Sequence, residues 1–185
     1  RAESVTDWLV QNGKATAKIW GVILDTCIGG RVVDLTFTSF LDTAASGAGA
    51  GTDNYNSGVR VRAGDKTIVR GLVAKNCGSG VLASTNGSSI DPTRLVVDGC
   101  HIENAWDNGV YAASAQDSII TNCTIKTSAG TGVKVRGSQN RVIGNHVSAT
   151  LVGITISGAG ASPDAYSATS HGSIVANNTI EQTGR

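Results

Sequence analysis

The sequence predicts an all-β solenoid, and three observations predict it. First, a short phrase recurs: Gly, then a β-branched or apolar residue, any residue, and an apolar residue. It reads Gly58-Val59-Arg60-Val61, Gly80-Val81-Leu82-Ala83, Gly109-Val110-Tyr111-Ala112, Gly132-Val133-Lys134-Val135 and Gly153-Ile154-Thr155-Ile156. Its glycines follow one another after about 22, 29, 23 and 21 residues, and a fixed period in the twenties marks a stack of β-coils. Second, each period carries a second phrase: Ile68–Val73, Val97–Ile102, Ile120–Ile125 and Val175–Ile180 can be laid over one another, with Ile143–Val147 one residue shorter. Third, 24 glycines stand against 2 prolines and 4% aromatics, which suits many tight corners around an aliphatic core.

Taken in chain order, Ser4-Val5-Thr6-Asp7-Trp8-Leu9-Val10 followed by Gly13 predicts a short amphipathic N-terminal helix with an N-cap and a glycine stop. Such a helix would cap the open end of the core. Residues 1–19 are therefore assigned to a capping helix and connector, and 20–185 to the solenoid, at about 22–24 residues per coil. Inside each phrase apolar and polar residues alternate at period two, which predicts short strands. Corner glycines and asparagines are expected to supply positive φ. Asn122 and Asn177 fall in one column, with Asn145 close to it, and are expected to form a structural ladder. Cys100 and Cys123 share another column, which Cys27 is expected to join as a small buried thiol. Residues 41–56, 84–94 and 157–173 break the period and read as enlarged loops that could wall a groove.

A chain of 185 residues suits one domain that needs no disulfide or metal to hold its core. It starts without methionine and stops within a repeat, so it is expected to be a piece of a longer protein. The net charge of +1 excludes a broadly basic nucleic-acid binder. No apolar run reaches the roughly 18 residues of a membrane helix, and no signal peptide is expected. The cysteines lack metal spacing, and His101, His146 and His171 are scattered, so no metal or other cofactor is expected.

The segments 119–125, 141–147 and 174–180, each with Gly-Val-x-Val or its equivalent nearby, resemble the right-handed parallel β-helix of the pectate-lyase superfamily. The resemblance covers residues 20–185. It implies a polysaccharide-active protein, for that architecture houses pectate lyases, polygalacturonases, epimerases and the tailspike depolymerases of bacteriophages. The polygalacturonase motifs Asn-Thr-Asp and Gly-His-Gly are absent, so no catalytic residue is carried over. A phage tailspike is the nearest likeness, because tailspike catalytic residues follow no shared motif. It implies a homotrimer in the full-length protein, in a virion tail or outside the cell.

Alternation assigns the faces. With Val59, Val81, Val110, Val133 and Ile154 inward, Arg60, Leu82, Tyr111, Lys134 and Thr155 point outward, and Arg62, Ser84, Ala113, Arg136 and Ser157 form the next outward column. This stripe of Arg60, Arg62, Lys134 and Arg136 suits the carboxylates of an acidic polysaccharide; ordinary solubilising charge is the other reading. Asp98, His101 and Glu103 are expected on a second outward face, with Lys126 beside Glu103. Trp106 is a candidate sugar-stacking residue, although Cys77, Ala129 and Leu151 in its expected column argue for core packing.

Two classes of function follow. One is a depolymerase. As a glycosidase it would use Glu103 and Asp107, with Asp98 in reserve. As a lyase it would use Tyr111 as base, flanked by Arg60, Lys134 and Arg136. The other is a non-catalytic β-helix segment of a virion fibre or surface adhesin, in which these charges only pair on the surface.

Overall fold

The computed structural model describes residues 2–3, 6–17, 20–39, 56–85, 91–113, 115–157 and 171–181. All regular structure in them is β, and every strand pairing is parallel. The strands form a ten-stranded and a seven-stranded sheet, stacked as the coils of a solenoid.

The coil is set by residues at positive φ. One column of them holds Asp7, Gly29, Lys66, Arg94, Asp117, Gln139 and Gly172. A second follows five positions later: Asn12, Asp34, Gly71, Gly99, Asn122, Gly144 and Asn177. A third, another five positions on, holds Asn76, Asn104, Thr127 and Ala149. Each is a sharp corner. The first side of the coil, between the first two corners, is a three-residue strand such as Val96–Asp98, Ile119–Thr121 or Arg141–Ile143. The second side is the short limb of a longer strand that bends at the third corner: His101–Ala112 bends at Asn104, and Thr124–Arg136 at Thr127. The long limb beyond that bend is the third side. Two sides thus have fixed length, and the third side with the turn after it absorbs the variation. Residues 41–55, 86–90 and 158–170, which fall within the three predicted insertions, lie outside the described residues.

The central residue of each first-side strand points in: Val32, Val69, Val97, Ile120 and Val142 are fully buried. Ala74, Ile102, Ile125 and Val147 do the same on the second side, and the Val59/Val61, Val81/Ala83, Val110/Ala112 and Val133/Val135 pairs on the third. Each such valine or isoleucine contributes roughly 1.5–3 kcal/mol by leaving water, so the repeated columns hold the solenoid together.

Four sequence expectations are corrected. The described residues contain no helix. Thr6 bridges Ile28, Leu9–Gln11 pairs with Arg31–Val33 and Lys14–Ala17 pairs with Thr36–Ser39. Asp7, inside the expected helix, and Asn12, just before the expected glycine stop at Gly13, are two corners at φ 55° and 54°; Ser4 and Val5 lie outside the described residues.

The phrase glycines are not needed for positive φ. Gly58, Gly80, Gly109, Gly132 and Gly153 are absent from the left-handed region. They are required for close approach: a Cβ on Gly109 would lie 2.5 Å from Ile125 Cγ2 and 2.6 Å from Gly132 O. Gly21 joins the same column one coil earlier, with Gly58 O 2.5 Å from its Cβ position.

The buried asparagine ladder uses Asn145 and Asn178. Asn145 N and Nδ2 donate to Asn178 Oδ1 at 2.9 and 3.0 Å, and Cys123 N donates to Asn145 Oδ1 at 2.9 Å. Asn122 stands instead on the exposed corner, donating to Asp98 Oδ1 at 3.1 Å.

Cys27 does not join Cys100 and Cys123. Its carbonyl accepts from Asp65 N at 3.0 Å, near the first corner rather than the second.

Candidate functional site

The register of the third side lines up Ile23, Arg60, Leu82, Tyr111, Lys134 and Thr155, one residue per coil. The environments along this column divide it. At its N-terminal end Arg60 is only 3% exposed, with its guanidinium over the Trp20 ring, 5.5 Å from the centroid. Arg62 lies 3.6 Å from Asp25, and the neighbouring Leu82 is 2% exposed. At the other end Tyr111 and Lys134 are half-buried and reach the surface. Lys134 Nζ stands 5.1 Å from the Tyr111 ring centroid. Arg136 is half-buried and in register with Ser157. The basic stripe is therefore two groups, with the coil of Leu82 and Ser84 between them.

Just before Tyr111 the register shifts. Ala105 pairs with Cys77, and Asn108 with Ser79. Two residues, Trp106 and Asp107, thus stand opposite the single Gly78. The next coil repeats the device: Ser128 and Thr131 pair with Thr150 and Val152, so Ala129 and Gly130 face Leu151 alone. Such bulges re-aim side chains and recur beside active sites. Here the bulge takes Trp106 out of the Cys77 column, leaving it half-buried. Ala129 beside it is exposed, and Leu151 and Val152 are 54% and 43% exposed. Together they make an apolar ridge along the corner. The pattern is legible in the spacing to the phrase glycine, which is one residue longer from Ala105 and Ser128 than from Cys77 and Thr150. The aligned columns of the sequence concealed it.

Asp107 sits in this bulge. Burial pushes its carboxyl above the usual range, while the Lys134 charge and the neighbouring Asn108 amide pull it back. The buried Asn108 is oriented by accepting from Thr131 N at 3.2 Å. A Cβ on Gly130 would strike the Asp107 carbonyl, so that glycine permits the bulge.

Glu103 belongs to a different environment, on the second side beyond the Asn104 corner. Its register partners are Lys75 and Lys126, with Lys75 Nζ 2.9 Å from its carboxylate and His101 Nε2 at 3.9 Å. The Lys75 hydrogen bond and charge, helped by His101 and Lys126, hold it below the usual carboxylate range. The charges shifting Glu103 do not include Asp107, and Lys134 is the charge shifting Asp107. Asp98 lies on the first side, across the corner from His101, where Arg70 Nε donates to it at 2.9 Å. What the sequence groups as one acidic face is thus split by the Gly99 corner.

No group of three or more His, Cys, Asp or Glu that could hold a metal ion occurs among the described residues. Chemically, the cluster Trp106, Asp107, Tyr111 and Lys134 offers an aromatic face, a carboxyl biased toward its protonated form, a phenol and a cation on one side of the solenoid.

The sequence model of the family described as "right handed beta helix region" matches residues 50–184, well over half of the chain. The search of curated proteins found no match. Among solved structures, QnrB1, described as a plasmid-mediated fluoroquinolone resistance protein, is 14% identical. The match covers 88% of this chain and 90% of that one, with a TM-score of 0.27, a likeness too low to carry an argument.

Proposed function

Because the chain belongs to the right-handed β-helix family, we propose that it is the polysaccharide-degrading β-helix of a phage tailspike or secreted enzyme, acting on an acidic polysaccharide. The observation that carries this reading is the bulge, which adds Trp106 and Asp107 to the side of the solenoid that holds the Tyr111–Lys134 pair. Trp106 and the apolar ridge would stack on sugar faces, and Lys134 and Arg136 would meet sugar carboxylates.

Of the two chemistries, β-elimination suits the cluster better. Tyr111, as phenolate, takes the C5 proton of a uronic acid, and Lys134 stabilises the charge that develops on its carboxylate. The C4–O bond then breaks as the C4–C5 double bond forms, and the leaving oxygen takes a proton from Asp107 acting as general acid, a role that its upward-shifted carboxyl suits. Hydrolysis would need Glu103 and Asp107 to face one glycosidic bond, roughly 5–9.5 Å apart. Glu103 is instead held in its ion pair with Lys75.

A second reading is favoured by a specific observation. Asp25, Asp65, Asp98 and Glu103 each pair with a cation on another coil, which is how a non-catalytic fibre or adhesin would use its charges. The test is incubation of the full-length assembly, taken to be a homotrimer in a virion tail or outside the cell, with capsular and lipopolysaccharide glycans. Elimination yields an unsaturated sugar absorbing in the near ultraviolet, and Tyr111→Phe abolishes it. Binding without cleavage would leave the adhesin reading.

A further inference from the structure

Cys100 and Cys123 stand one coil apart just inside the second corner, away from the Trp106–Lys134 cluster. Their flanking residues pair in register, Asp98 with Thr121 and His101 with Thr124. Thr124 N donates to Cys100 O at 2.8 Å. Each cysteine is 1% exposed, and both are free thiols.

The two sulfurs occupy equivalent places. Cys100 Sγ lies 3.5 Å from Asp98 O and 3.7 Å from Val69 O. Cys123 Sγ lies 3.2 Å from Thr121 O and 3.9 Å from Val97 O. Asp98 and Thr121 are register partners, as are Val69 and Val97. One coil step, about 4.8 Å, therefore relates the sulfurs. That is more than twice the S–S bond of about 2.05 Å. Two metal–thiolate bonds of about 2.3 Å placed end to end span about 4.6 Å.

We propose that Cys100 and Cys123 form a linear two-coordinate site for a soft, thiophilic d10 ion, copper(I) or mercury(II). Thiolates select such ions. The next residues of the column are Leu72 and Asn145, and no third strong ligand joins the pair, so zinc, which takes four ligands in structural sites, is disfavoured. Binding converts two thiols to two thiolates, releases two protons and involves no redox step.

The reduced full chain is titrated with mercury(II) chloride and, separately, with copper(I) delivered from a competing chelator. Each ion is expected to bind at one per chain, with two sulfurs at about 2.3 Å by X-ray absorption. A raised melting temperature is also expected, because only the folded chain presents the pair. Cys27→Ser and Cys77→Ser keep the stoichiometry, and Cys100→Ser or Cys123→Ser loses it. The absorption measurement on the unaltered chain decides the matter even if those variants misfold. Three or more sulfurs in the shell, uptake that depends on Cys27 or Cys77, loss of β-sheet signal on loading, or a Cys100–Cys123 disulfide in the air-oxidised protein would each overturn the proposal.

Discussion

Lys134 holds its ammonium over the ring of Tyr111, 5.1 Å from the centroid, and the two residues are register partners on adjacent coils. The same ammonium acts on Asp107, drawing its carboxyl downward against the effect of burial. One cation thus joins a phenol and a carboxyl that lie four positions apart on a single strand.

Replacing Lys134 by Met keeps the apolar stem and removes the charge. The cation–π contact is worth about 0.5–1 kcal/mol, so thermal stability should fall only slightly. Loss of one positioned electrostatic group should lower depolymerisation on the order of 100-fold. The Asp107 carboxyl, freed of its cation, moves further up, so the residual activity keeps its acid form to higher pH. Paired melting curves and a pH–rate profile check both parts.

Asp107 should cost stability at neutral pH. Its folded-state affinity for a proton is raised above the ordinary value of 3.8, so the folded chain binds the proton better. Its contribution is present below that ordinary value and is lost as pH rises through the raised one. Asp107→Asn should therefore melt higher than the parent at pH 7, with the difference vanishing in acid below the ordinary value. Calorimetry at the two pH values tests this. An Asn variant that is less stable at pH 7 would assign Asp107 a structural role instead.

Two glycines should respond in opposite ways. Gly109→Ala places a methyl 2.6 Å from Gly132 O and 2.5 Å from Ile125 Cγ2, which should cost about 1–3 kcal/mol or more by overpacking. Gly99 has open space around its Cβ position and φ 60°. Gly99→Asn should be nearly neutral, since Asp34, Asn122 and Asn177 already occupy that column at positive φ. Denaturant midpoints of the two variants separate close approach from conformation.

Asn145→Ala removes the acceptor for Cys123 N at 2.9 Å and the donor to Ile120 O at 3.0 Å. Both partners are then left buried without replacement, at about 1–3 kcal/mol each. The exposed Asn122 has no such role in the core, and Asn122→Ala should cost markedly less. Equal losses in urea unfolding would show that the ladder inside the corner is not what stabilises these coils.

The coil period, the inward valines and the outward column of Tyr111 and Lys134 were legible because a stacked solenoid repeats one local rule, and a repeated rule leaves a periodic trace. The expected N-terminal helix gives way to strands for a related reason. Corners recur every five residues around a three-residue strand, so Leu9 and Val10 between polar corners, with Gly13 after them, copy the pattern of a short amphipathic turn with a glycine stop. Pairing of Val10 with Val32 decides for strand, and no local propensity contains it. The bulge at Trp106 and Asp107 was concealed because column alignment assumes equal coil lengths.

The sequence alone therefore determined that this chain is a parallel β-solenoid and which side chains share a column, since both follow from period and alternation. Tertiary structure decided the rest: that the phrase glycines answer to a neighbouring carbonyl, that Arg60 is buried with Trp20 while Lys134 reaches Tyr111, and that Glu103 and Asp107 feel different charges across the Asn104 corner. Those outcomes depend on what the adjacent coil places a few ångströms away, and that neighbour stands twenty or more residues distant in the chain.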